Sequence, residues 1–240
     1  GQAHNSLLLA PLSDLTQPAC LILQHTLSLA PGESKTLSFV YAFGGSIDEA
    51  TATIQALRGA HPGDPSPGLR IHEDTQDAWA SALPQLDLPG FPGPAREMTW
   101  SAYMLSAGSL YSRYADAFTL TQGSAYLYDT GLNAAPRDPL QHVMAAIYTD
   151  PTLARETLGY WMSQQKKSGY LPYSIYGRNW QSDLIWKPSD LSLWLMLALL
   201  EYVDATGDSA FLSEWIPFFP LGSGEGATVL EHLKLAYTYL

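Results

Sequence analysis

From Thr119 to Leu212 the chain alternates loops rich in aromatics and glycine with apolar helical patterns. TLTQGSAYLYDTGLNAAPRDPLQHV leads to DPTLARETLGYWMSQQKKSGYLPYS and then to KPSDLSLWLMLALLEYVDATGDSAFL. Each loop ends in an acid or an Arg-Asp pair just as a helix begins. A chain so patterned is confined to an array of helical hairpins, because each apolar stripe must be buried against another element. Its site is then assembled from the loops between helices. Polar loops bearing Tyr and Trp suit a sugar ring, which stacks on aromatic faces while its hydroxyls take hydrogen bonds.

The helical reading begins at Met98, where Trp100, Tyr103, Met104, Ala107, Leu110, Tyr111 and Tyr114 recur at helical spacing to Ala115. Asp138 followed by Pro139 reads as a cap and a first-turn proline, and Asp150-Pro151 repeats the device for a helix to about Lys167. Ser189 or Asp190 caps the next helix, apolar nearly all round and so read as an inner helix, to about Ala205. Asp208 to Trp215 and Ala227 to Leu240 complete about six helices, and the last pattern runs to the final residue, so the array is expected to continue.

Upstream, residues 20–29 alternate, Ala30-Pro31-Gly32-Glu33 marks a turn, and Ser34 to Phe43 reads as a second strand, followed by a short helix from Ile47 to Arg58. Residues 1–58 are therefore read as the end of an antiparallel β-sandwich. Residues 59–97, rich in Pro and Gly, read as a linker with a short helix around Gln76 to Leu83, and 98–240 as the helical domain.

Apolar residues make up 46% and charged residues 15%, a globular composition. The net charge of −11 argues against nucleic acid or an anionic membrane surface as partner. Cys20 is the one cysteine, so no intrachain disulfide forms, and the apolar run Leu191 to Leu200 is too short to span a bilayer. The chain starts at Gly1 without Met, which suggests trimming or a longer parent. The cytoplasm is the favoured location.

Arg137 and Asp138 follow a loop bearing Tyr126, Tyr128 and Asp129. A guanidinium beside a carboxylate holds vicinal hydroxyls through charge-assisted hydrogen bonds. The plainer roles are a helix cap for Asp138 and a surface ion pair for Arg137. Asp190 closes a loop with Tyr170, Tyr173, Tyr176, Trp180 and Trp186. Aromatic walls raise a carboxyl pKa, as a general acid needs, whereas a helix N-terminus favours the carboxylate. Capping is again the plainer role, and Asp183 is a second acid in that loop. Trp161, Trp194 and Trp215 sit in helical patterns and are read as core. His142 lies one turn after Asp138 without a third ligand in register, so no metal site is read. No GxSxG, HExxH, GxGxxG or phosphate loop is present.

The helical region resembles the catalytic domains of glycoside hydrolase family 94, the cellobiose-phosphorylase-like enzymes. The matching residues are GSAYLYDTG…APRDPLQ, DPTLARETL and SDLSLWLMLALLEYVDATGDSAFL followed by WIPFF. The resemblance implies an Arg-Asp-x-x-Gln element that binds sugar, here Arg137, Asp138 and Gln141. It also implies a Ser-Asp-(Asp)-x-x-Trp-Leu element that carries the acid, here Ser189, Asp190, Trp194 and Leu195. His142 and Leu191 depart from it, each standing where the family usually has Asp. The implied fold is mainly α, an (α/α)6 barrel of which this chain would supply the first half, after the end of the sandwich.

Together these features imply a carbohydrate-active enzyme that cleaves a glycosidic bond with inversion, either a hydrolase or a phosphorylase. Asp190 would protonate the leaving oxygen. Arg137, Asp138 and Gln141 would grip the sugar, and Tyr128, Trp180 and Trp186 would wall the site. No cofactor is expected, with inorganic phosphate a co-substrate in the phosphorylase case. The expected partners are an oligosaccharide or glycoside, the remainder of the barrel from the same or another chain, and a second copy in a homo-oligomer. His142 and Leu191 keep a non-catalytic sugar-binding module open, and a helical scaffold for protein partners is the third class.

Overall fold

The computed structural model describes residues 24–64, 66–123, 132–176, 179–182 and 188–240, with the backbone alone for 132–134. It divides into two compact units, Gly1–Asp77 and Ala78–Leu240.

In the first unit the turn at Ala30 is closed by Glu33, whose backbone N–H donates to the Ala30 carbonyl at 2.9 Å and whose carboxylate accepts from the Ala30 N–H at 2.8 Å. The strand expected over Ser34–Phe43 has no ladder partner among the described residues. The reason is visible in its apolar alternation: Leu37, Phe39, Tyr41 and Phe43 are all exposed, and a ribbon that buries no face is not stable. The sandwich end read into 1–58 thus shows no sheet among the described residues, and 1–23, with Cys20, lie outside them. Helix α1, Ile47–Gly59, forms as expected, capped by Ser46, whose hydroxyl accepts from the Glu49 N–H at 3.1 Å. No described residue up to Asp77 is buried.

The stretch read as a linker is largely helical. α2 spans Pro67–Ala82 across the division between units, and α3 spans Pro92–Ala107. Proline opens both, at a position where its missing N–H costs nothing.

The second unit holds the core and is mainly helical. α3 stops at Ala107, short of the expected Ala115, and the chain turns into a hairpin of β1 (Leu110–Ser112) and β2 (Ala117–Thr119). β3 (Leu132–Ala134) precedes α4 (Arg137–Thr149) and α5 (Pro151–Ser163). β4 (Ser174–Tyr176) lies between β3 and β5 (Trp180–Ser182) in an antiparallel sheet. α6 (Leu191–Thr206) ends at Gly207, which takes φ 72° as a left-handed C-terminal residue. A 3-10 turn (Ser209–Ser213), the hairpin of β6 (Trp215–Pro217) and β7 (Gly226–Thr228), and α7 (Val229–Tyr239) follow. The expected last two helices are therefore shorter than read, each giving residues to that hairpin.

The core is the seam between these helices. Leu140, Val143 and Ala146 of α4 meet Ala154, Leu158 and Trp161 of α5, Leu195 and Leu199 of α6, and Val229 of α7. Each buried large aliphatic contributes roughly 1.5–3 kcal/mol. α6, read as apolar all round, buries that side only, and Leu193, Leu197 and Leu200 are exposed. The β2 edge is satisfied by α5: Glu156 accepts from the Phe118 N–H at 3.1 Å and Thr157 from the Leu120 N–H at 3.0 Å.

Candidate functional site

Arg137 opens α4 and Asp190 immediately precedes α6. Arg137 meets Asp190 at one end of this helix pair and Tyr148 meets Glu201 at the other, both 53 residues apart. The two helices therefore run parallel and in register, and their first turns lie side by side.

The Arg137 guanidinium grips Asp190 with both prongs: Nη2 donates to Oδ1 at 2.9 Å, and Nε lies 2.8 Å from Oδ2. The side chains stay 46% and 37% exposed, open to a ligand. The hydrogen bond from Arg137 holds the Asp190 carboxyl below its ordinary pKa, against the opposing effect of burial, and a bond from Trp194 adds to it. Asp190 likewise pushes the Arg137 pKa up. Of the two opposing influences read from the sequence, the shift goes the way that favours the carboxylate, with Arg137 as its main cause. The charged partner wins because the group is too exposed for desolvation to dominate.

Neither carboxylate serves as a helix cap. Pro136 occupies the cap position of α4, and Asp138 instead accepts from Gln122 Nε2 at 2.8 Å. Asp190 holds the cap position of α6, but its side chain makes no capping bond. Gln141 is exposed one turn along α4 from Arg137 and Asp138, with no side-chain hydrogen bond among the described residues. Trp180 sits on β5 opposite Tyr176, 71% exposed, without a ring contact among the described residues. Tyr128, Trp186 and Asp183 lie outside the described residues.

Two further residues belong here. Gln122 fixes Asp138, and nothing in the local pattern marks it. His142 Nδ1 lies 2.9 Å from the Thr121 carbonyl, and the Thr121 hydroxyl donates to the Gly108 carbonyl at 2.8 Å, so the segment carrying Gln122 is fastened to α4 and α3. Among the described residues no group of three His, Cys, Asp or Glu side chains could hold a metal ion.

The sequence model of the glycosyl hydrolase 94 superfamily catalytic domain matches residues 97–240. This chain belongs to that family. Among curated relatives, a 3-O-beta-D-glucopyranosyl-beta-D-glucuronide phosphorylase of Paenibacillus borealis is 23% identical over 223 residues, covering 91% of this chain and 26% of the relative. An N,N'-diacetylchitobiose phosphorylase of Vibrio furnissii is 25% identical over 248 residues, covering 92% of this chain and 28% of the relative. The chain thus spans about a quarter of the length of these family 94 relatives.

Proposed function

We propose that this family 94 chain contributes an acid and a sugar-gripping arm to the site of an inverting glycoside phosphorylase, built on an (α/α)6 barrel. The observation that carries the reading is the bidentate Arg137–Asp190 pair, which joins the two elements named by the family pattern at neighbouring helix starts. Both relatives are named as phosphorylases, which favours phosphate over water as nucleophile.

In the proposed reaction a phosphate oxygen attacks the anomeric carbon from the face opposite the leaving group. As the carbon–oxygen bond breaks, protonated Asp190 gives its proton to the departing sugar oxygen. The products are a sugar 1-phosphate of inverted configuration and a free sugar. Arg137, Asp138 and Gln141 would hold the ring, and Tyr128, Trp180 and Trp186 would wall it. Asp190 as it stands is held ionised, so the mechanism requires a ligand that draws Arg137 away. An anionic phosphate is such a ligand, and losing the guanidinium raises the carboxyl toward protonation.

The same lowered pKa favours a second reading, a sugar-binding module that has lost its acid. Turnover of a disaccharide panel by the full-length protein, with and without phosphate, separates the two. Phosphate-dependent release of sugar 1-phosphate, reduced about 10³-fold by Asp190→Asn, is expected. Turnover unchanged by Asp190→Asn sinks the acid assignment, and binding without turnover selects the module.

A further inference from the structure

α5 carries a stripe apart from the Arg137–Asp190 pair, with Tyr160 at its border with the core. Arg155, Glu156, Gly159, Tyr160 and Ser163 recur at helical spacing and line a cavity of about 410 Å³. The β1–β2 hairpin supplies one wall and the segment from Phe211 to Leu221 the other.

Three observations mark this as a built site. The first is an aromatic platform. Trp215 was read as core, yet it stands on β6 at 55% exposure. Its indole is backed by Gly226, where any Cβ would collide with the ring. Tyr114, from the hairpin, brings a second exposed ring to the same cavity.

The second is Tyr160. It is only 3% exposed and lines the cavity, yet its hydroxyl has no hydrogen-bond partner among the described residues. The hydroxyl is not sealed from water, so a sugar hydroxyl can take the place of water there.

The third is the set of acceptors on the rim. Glu156 takes the Phe118 N–H with one oxygen, Asp116 takes the Tyr111 hydroxyl, and Glu214 pairs with Arg155. The second oxygen of each takes no hydrogen bond among the described residues. Arg155 also lies 3.3 Å from Asp208 and 4.5 Å above the Phe211 ring.

We propose that this cavity is a second saccharide site, separate from the Arg137–Asp190 pair, that takes a neutral pyranose. A pyranose offers an apolar C–H face to the indole or phenol ring and a rim of hydroxyl donors to the carboxylate oxygens. The Tyr160 hydroxyl both donates and accepts, as a sugar hydroxyl requires. Three carboxylates against one guanidinium repel an anionic ligand, so phosphate and uronates are disfavoured here. The volume lies within the range of small-ligand pockets, roughly 300–1,000 Å³. The proposal does not depend on the cleavage reading.

The test uses the full-length protein carrying Arg137→Ala, which disables the first site. Methyl β-D-glucopyranoside is titrated by saturation-transfer NMR and tryptophan fluorescence, with glucuronate as the anionic comparison. Binding with a Kd of about 1 mM is expected. Trp215→Ala should weaken it about tenfold. Tyr160→Phe keeps the packing and should weaken it about fivefold with the melting temperature unchanged. Gly159→Leu should fill the cavity and remove binding. No binding of the neutral sugar at about 10 mM overturns the proposal. So does binding indifferent to both Trp215→Ala and Tyr160→Phe, or glucuronate binding tighter than the neutral sugar. Loss of turnover in the Arg137→Ala protein reports on the cleavage reading alone.

Discussion

Two polar clusters tie helices together in the second unit, and they are built on opposite terms. The Arg137–Asp190 pair joins the starts of α4 and α6 and stays open to water. The Gln165–His232 cluster joins the end of α5 to α7, and both of its residues are fully buried. Gln165 Nε2 donates to the Gly169 and His232 carbonyls at 3.1 and 3.3 Å. His232 Nδ1 lies 2.6 Å from Gln165 Oε1, and Nε2 lies 3.0 Å from the Ile216 carbonyl. Burial pushes the imidazole pKa down, outweighing the Ile216 carbonyl and neighbouring Glu231. Both ring nitrogens face oxygen acceptors, Gln165 Oε1 and the Ile216 carbonyl, so the ring bridges the two. A sealed cluster of this kind is committed to the fold, because nothing replaces a lost partner. An exposed ion pair can exchange its partner for a ligand at little cost, since water covers either state. Burial thus separates the polar group that holds the chain from the one that can act.

Paired truncations give the comparison its hardest test. His232→Ala removes the ring that bridges Gln165 and the Ile216 carbonyl and opens a cavity in the core. A loss of about 3 kcal/mol in urea unfolding is expected. Arg137→Ala, at the open cluster, should cost less than about 1 kcal/mol in the same measurement. Equal losses would break the distinction.

Acid should expose the two clusters in different windows. The folded pKa of His232 lies below its unfolded value of about 6.5. The unfolded chain then takes up the proton first, so stability is whole above that pH and declines as pH falls through it. Asp190 is also lowered in the folded chain, from an unfolded value of about 3.9. Its contribution is present above that value and is lost as pH falls further, in a window shared with Asp208 and Glu231. Denaturation curves from pH 8 to 3 should show two declines. His232→Gln, which cannot titrate, should erase the upper one and leave the lower. An upper decline that survives His232→Gln would assign it to another group.

What the sequence made legible follows the range of the interactions involved. Asp150 was read as a cap from its neighbours alone, and its carboxylate does accept from the Leu153 N–H at 3.0 Å. The end of α3 was not legible, because the competing β1–β2 hairpin is held by Glu156 and Thr157, 38 and 37 residues away. Arg137 and Asp190 each stood out in their own loops. Their contact did not, since a 53-residue separation leaves no periodic trace, and with it went the direction of the Asp190 shift. Trp215 was misread because an apolar ring near a helical pattern resembles core. Its platform depends on Gly226, eleven positions on and across a hairpin.

The smallest expected effect lies at the far end of the α4–α6 seam. Tyr148 is exposed and donates its hydroxyl to Glu201, in the same register as Arg137 and Asp190. If the apolar seam of Leu140, Val143, Leu195 and Leu199 sets that register, the polar contact is a consequence and not a cause. Tyr148→Phe should then shift neither the thermal melt nor the Asp190 titration read by carboxyl NMR. A shift in the Asp190 titration would carry the opposite lesson. It would mean that the polar ends align the helices, and that the Arg137–Asp190 pair is itself a fastening of the fold and less free to yield to a ligand.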